Sequence, residues 1–182
     1  MPLIVPPSLQ FLKRVVTNAQ PNVQFLSIPP SYTNLFITWW AKSDTAGAND
    51  VMAMRFGTAN LGAFDAGANY SYGLLNSGSA APTNAGSGAG QTFYRFGICN
   101  GVAGGANFQF SGGTIWIINY AFTNGRKIIN STGWRDDAGW GMEDGRGTWV
   151  GDNTHAVDRV QFLLTSGAQI TNGSVFSLYA VL

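Results

Sequence analysis

The sequence predicts an all-β fold: a two-sheet, jelly-roll-like β-sandwich behind an extended N-terminal arm. Three observations carry this. Short runs of β-branched and aromatic residues alternate with Gly, Asn and Ser turns along most of the chain. No long segment shows the 3.6-residue apolar period of an amphipathic helix. The composition is that of sheet and tight turns, with 24 Gly, 12 Phe, 6 Trp and 6 Tyr in 182 residues and only 10% charged residues. At this length one domain with a substantial core is expected.

The elements follow in order. Residues 1–22 read as the arm: Pro2, Pro6 and Pro7 forbid a regular element at the front, because proline lacks the backbone donor. Phe11, Leu12, Val15 and Val16 suit one helical turn or a short strand, and Pro21 closes the segment. Residues 23–182 read as the sandwich domain. Leu35 to Ala41 is dense in β-formers, with Leu35, Ile37 and Trp39 on one face and Phe36, Thr38 and Trp40 on the other, since strand residues alternate. Val51 to Phe56 follows a polar turn and places Met52, Met54 and Phe56 together. Asn69 to Leu75 is a further strand. Residues 76–90, small and polar, read as a flexible loop. Thr92 to Ile98 resumes the sheet. Thr114 to Phe122 is apolar on both faces, the pattern of a central strand covered on both sides. Residues 133–155 read as an excursion rich in Gly, Asp and Trp. Val157 to Thr165 and Ser174 to Leu182 are the last strands, so the chain ends inside the sheet.

The side chains on which catalysis depends are scarce. The chain has 1 His, 1 Cys and a lone glutamate, Glu143. His155 has no nucleophile in a strained turn to serve, Cys99 reads as a buried small hydrophobe, and no Cys/His set has zinc spacing. The expectation is a non-enzymatic protein with no catalytic, cofactor or metal residues. A net charge of +1, with the basic residues scattered, gives no field for nucleic acid or an anionic membrane. No apolar stretch reaches the length of a membrane span, and the start lacks the pattern of a signal peptide.

Two sets of residues are candidates for contacts. Low charge and many aromatics suit a surface that meets other subunits. Leu3, Ile4, Val5, Phe11 and Leu12 in the arm, with Trp40 on the outer face of its strand, are the candidate assembly contacts. The second set is Trp134, Asp136, Asp137, Trp140, Glu143 and Asp144. Carboxylates beside tryptophans fit a glycan or receptor contact. The plainer reading is a polar loop whose acids pair with Arg135 and Arg146.

Four patches, in order, carry a resemblance. They are Phe25 to Leu35, Met54-Arg55-Phe56 followed by Asn69-Tyr70-Ser71, Ile117 to Ala121 with Lys127, and Asn172 to Tyr179. Over residues 25–182 the chain resembles a family of β-sandwich structural proteins of tailed bacteriophages. It departs from that pattern at Gly57-Thr58-Ala59-Asn60 and in the excursion at 133–155. The resemblance implies a virion protein made in the bacterial cytoplasm: a capsid decoration (cement) protein, a head fibre or a tail appendage. It implies partners that are further copies of itself, as a trimer, and the major capsid protein or other virion proteins. The alternative is a tail-fibre or tail-tip module that binds a host surface glycan. A tail fibre usually carries a long stalk before such a domain, so the expectation leans to a capsid decoration protein.

Overall fold

The computed structural model describes residues 8–78, 81–102, 109–136 and 140–181. Twelve strands run β1 (Leu9–Val16), β2 (Asn22–Phe25), β3 (Asn34–Ala41), β4 (Asn49–Thr58), β5 (Tyr70–Gly78), β6 (Ala81–Gln91), β7 (Tyr94–Asn100), β8 (Ser111–Ile118), β9 (Lys127–Asp136), β10 (Trp140–Trp149), β11 (Val157–Leu164) and β12 (Val175–Val181). They form two sheets, ordered β1-β12-β3-β8-β9-β10-β5-β6 and β2-β11-β4-β7. Every pairing between these strands is antiparallel. Set aside the hairpins β5–β6 and β9–β10, and each remaining strand crosses to the other sheet as the chain advances, except that β4 is followed by its own neighbour β7. They leave β1-β12-β3-β8 facing β2-β11-β4-β7, which is jelly-roll connectivity. The two hairpins both join the larger sheet and widen it beyond its partner.

Alternation decides which residues meet. Leu35, Ile37, Trp39 and Ala41 of β3 point inward and are buried, as are Met52, Met54 and Phe56 of β4. Phe162 on β11 lies at the centre of the interlayer packing. Its ring is 4.9 Å from Phe176, 5.6 Å from Phe96 and 5.9 Å from Phe25. Beyond this centre, β7 covers the inner faces of β9 and β10, and the layers approach closely because β10 presents glycines there. A Cβ on Gly147 would fall 2.1 Å from the Ser71 carbonyl oxygen and 2.6 Å from the Tyr94 ring.

Several sequence expectations change. The described residues of the segment 76–90 are strand, not loop: Asn76, Ser77 and Gly78 finish β5, and Ala81 to Gln91 is β6. The excursion at 133–155 is largely the β9–β10 hairpin. Runs of Gly, Ala, Ser and Asn lack β propensity, and here the ladder of an existing sheet overrides it. β8 is apolar on both faces, yet only one is covered, and Trp116 on the other is exposed. Within residues 1–22, Leu9 to Val16 forms an edge strand hydrogen-bonded to β12, with a bulge between Phe11 and Lys13. The sandwich therefore begins before residue 23.

Candidate functional site on the outer face of the eight-stranded sheet

Among the described residues no second layer covers the outer face of the larger sheet, and its side chains fall into cross-strand rows. One row is aromatic: Phe11 on β1 pairs with Tyr179 on β12, Tyr179 with Phe36 on β3, and Phe36 with Trp116 on β8. Successive ring centroids are 5.7, 6.0 and 4.7 Å apart. Two residues along the strands, Thr38, Thr114, Thr132 and Asp144 align on β3, β8, β9 and β10. Two residues further, Trp40 on β3 and Trp134 on β9 flank Gly112 of β8. Their rings meet edge-on with centroids 4.9 Å apart, and Phe110 stacks on Trp40 at 6.1 Å. A Cβ on Gly112 would fall 2.8 Å from the Trp40 ring, so a side chain there would push the two indoles apart.

These tryptophans are held in place yet open to solvent, with Trp40 42%, Trp134 41% and Trp116 38% exposed. Trp39, next in the chain, is buried. Three adjoining shallow depressions cross this face: one lined by Trp40, Thr114, Thr132 and Trp134, a second that shares Thr132 and adds Met142, Asp144 and Leu75, and a third that shares Asp144 and Leu75 and reaches Gly73, Ala85 and Gly86.

Comparison with protein-family models, with curated proteins and with solved structures finds no match. The chain's chemistry therefore has to be read from its own side chains.

The expected contact residues separate. Trp134 and Asp144 lie on the outer face and are exposed. Glu143 turns inward and is buried, where Arg95 of β7 grips it: Nη2 to Oε2 is 2.6 Å and Nε to Oε1 is 3.3 Å. Glu143 thus ties β10 to the opposite sheet, and its partner is Arg95 rather than Arg135 or Arg146. Glycine at 145 and 147 leaves room on the same inner face for Tyr94 of β7, which a Cβ at either position would meet within 3.0 Å. Asp136 and Trp140 pair as backbone positions at the end of the β9–β10 ladder, and their side chains lie outside the described part. Asp137 does too, as do Leu3, Ile4 and Val5. Phe11 is 56% exposed on the edge strand, whereas Leu12, at the bulge, is partly buried against the core. Trp40, expected as an assembly contact, stands against Trp134, expected as a glycan contact.

Sequence reasoning missed Phe36, Trp116, Tyr179 and the threonine row. Their outward orientation is legible from alternation, but their alignment depends on strand order and register, which no local pattern encodes.

Two further acids, Asp65 and Asp152, do structural work at the sheet ends. Asp65 accepts hydrogen bonds from Trp149 Nε1 at 2.6 Å and from Asn69 Nδ2 at 2.9 Å. It thereby anchors the start of β5 to the end of β10. Asp152 accepts from Thr58 Oγ1 at 2.6 Å and Thr154 Oγ1 at 2.7 Å, with His155 Nδ1 at 3.1 Å. Burial raises its pKa, but these bonds outweigh burial and hold the carboxyl below its ordinary range. Cys99 is buried, and burial pushes its thiol up, away from the reactive thiolate.

Proposed function

We propose that this chain is a non-enzymatic structural protein of a bacteriophage virion, a decoration or cement protein that stabilises the shell through subunit contacts. Its partners are further copies of itself, as a trimer, and the major capsid protein. The observation that carries the reading is the apolar margin at β1, which no described residue covers. Leu9, Phe11 and Val16 are each at least half exposed on the outermost strand of the larger sheet, and Phe11 opens the aromatic row that ends at Trp116. Edge strands of lone proteins are normally blunted by charge, proline or a covering element. Here Lys13 and Arg14 guard only the middle, and the apolar residues at the ends offer area to a neighbour. The resemblance to phage β-sandwich proteins supplies the address.

The test is a triple substitution, Leu9→Ser, Phe11→Ser and Val16→Ser, compared with the native chain by sedimentation velocity and by co-pelleting with capsids. The native chain sediments as an oligomer and pellets with the shell. The variant keeps its far-ultraviolet spectrum but sediments as a monomer and stays in the supernatant. Wild-type occupancy by the variant, or a native chain that is monomeric and indifferent to capsids, contradicts the reading. The tail-appendage alternative draws on a different feature, the depression beside Trp134.

A further inference from the structure

We infer that the depression across β3, β8, β9, β10 and β5 binds an extended, uncharged chain of pyranose sugars. The inference stands apart from the assembly reading, since it uses the centre of the outer face rather than the β1 margin. At one side of the depression, Trp40 and Trp134 are packed against each other over Gly112, and Phe110 backs Trp40. The indoles are pre-positioned, so a ligand stacking on them orders little on binding. The next row, about 7 Å along the strands, is Thr38, Thr114, Thr132 and Asp144, none of which hydrogen-bonds a described side chain. A stiff aromatic surface beside a line of unspent hydroxyls and a carboxylate matches a pyranose ring. Such a ring presents an apolar C–H face to the indole and hydroxyls at its rim.

Other occupants fit less well. A nucleic acid needs a basic track, and here one cation, Arg146, and one carboxylate, Asp144, line the depression together. The buried centre of a protein contact is depleted of charge, whereas Asp144 and Arg146 both line this depression. The floor on the far side is made of Gly73, Ala85 and Gly86, which leaves room for a ligand to lie across the strands. From β3 to β5 the depression crosses four strand gaps, about 19 Å. That span takes several sugar units, so affinity should rise with chain length.

The experiment is intrinsic tryptophan fluorescence of the full chain, titrated with hexamers of glucose, mannose, galactose and N-acetylglucosamine and with the corresponding monosaccharides. At least one hexamer perturbs the emission saturably and binds at least tenfold more tightly than its monomer. Trp134→Ala weakens that hexamer at least tenfold. Because Trp134 also contributes signal, calorimetry repeats the measurement. Thr132→Lys, on an exposed site that leaves both indoles in place, blocks binding as well. Phe11→Ser, at the sheet margin, leaves it unchanged. Silence from all four hexamers at millimolar concentration, or binding that survives both Trp134→Ala and Thr132→Lys, overturns the inference. Neither result bears on capsid co-pelleting.

Discussion

Replacing Arg95 by alanine should unfold this protein more readily than neutralising the residue it holds, and the difference is set by burial. Glu143 is 5% exposed and Arg95 22%, with the closest contact at 2.6 Å. Removing one partner of a buried pair costs about 3–5 kcal/mol, because the other charge stays desolvated. Water reaches the Arg95 side of this bridge, so Arg95→Ala should fall at the low end, about 3 kcal/mol. Glu143→Gln removes the charge but keeps an acceptor for the guanidinium, which retains some solvent. Its cost should be about 1 kcal/mol, that of weakening one hydrogen-bonded contact. With a urea slope of about 2 kcal/mol/M, the alanine variant should lose about 1.5 M in unfolding midpoint, three times the loss of the glutamine variant. The double variant Arg95→Met, Glu143→Leu should recover most of the alanine deficit, since no stranded charge remains. Equilibrium urea unfolding followed by tryptophan emission reads all three. Equal losses under about 0.5 kcal/mol for both single variants would mean the bridge is hydrated and does not tie the sheets. Glu143→Gln also separates structure from recognition: it should leave sugar binding as in the native chain.

Three further outcomes follow from the same geometry. Asp152 has a folded-state pKa below its unfolded value, so its contribution is present at neutral pH and lost as pH falls below about 4. Thermal melts from pH 7 to 2 should therefore show a steeper acid loss for the native chain than for Asp152→Asn, and parallel curves would refute the assignment. Phe162→Ala removes the ring at the centre of the interlayer packing and should cost about 3–5 kcal/mol by urea unfolding; a loss below about 1 kcal/mol would mean the layers repack freely. The Cys99 thiol should resist a thiol-reactive chromophore in the native state and react in denaturant; prompt native labelling would place it at the surface.

How much of this was legible in the sequence varies with the element. The inner face of β3 was readable because Leu35, Ile37 and Trp39 alternate with polar or outward residues, and the same rule separated buried Trp39 from exposed Trp40. β6 and most of β10 were not, because Gly, Ala and Ser carry no strand signal of their own. They are strands because β5 and β9 offer them a hydrogen-bonding ladder. The acidic stretch misled for the same reason: once β10 is a strand, Glu143 and Asp144 must face opposite ways, one into Arg95 and one to solvent. Trp40 and Trp134 are far apart in sequence and reach each other only through β8, whose Gly112 reads locally as a turn residue.

The central claim, that this jelly roll acts as a virion component through its β1 margin, is met most directly by a cryo-EM reconstruction of the purified particle with the chain located in the map. Many copies are expected over the capsid, each with Leu9, Phe11 and Val16 buried against a neighbouring subunit. Particles without the chain, or copies whose β1 margin faces solvent, would contradict it.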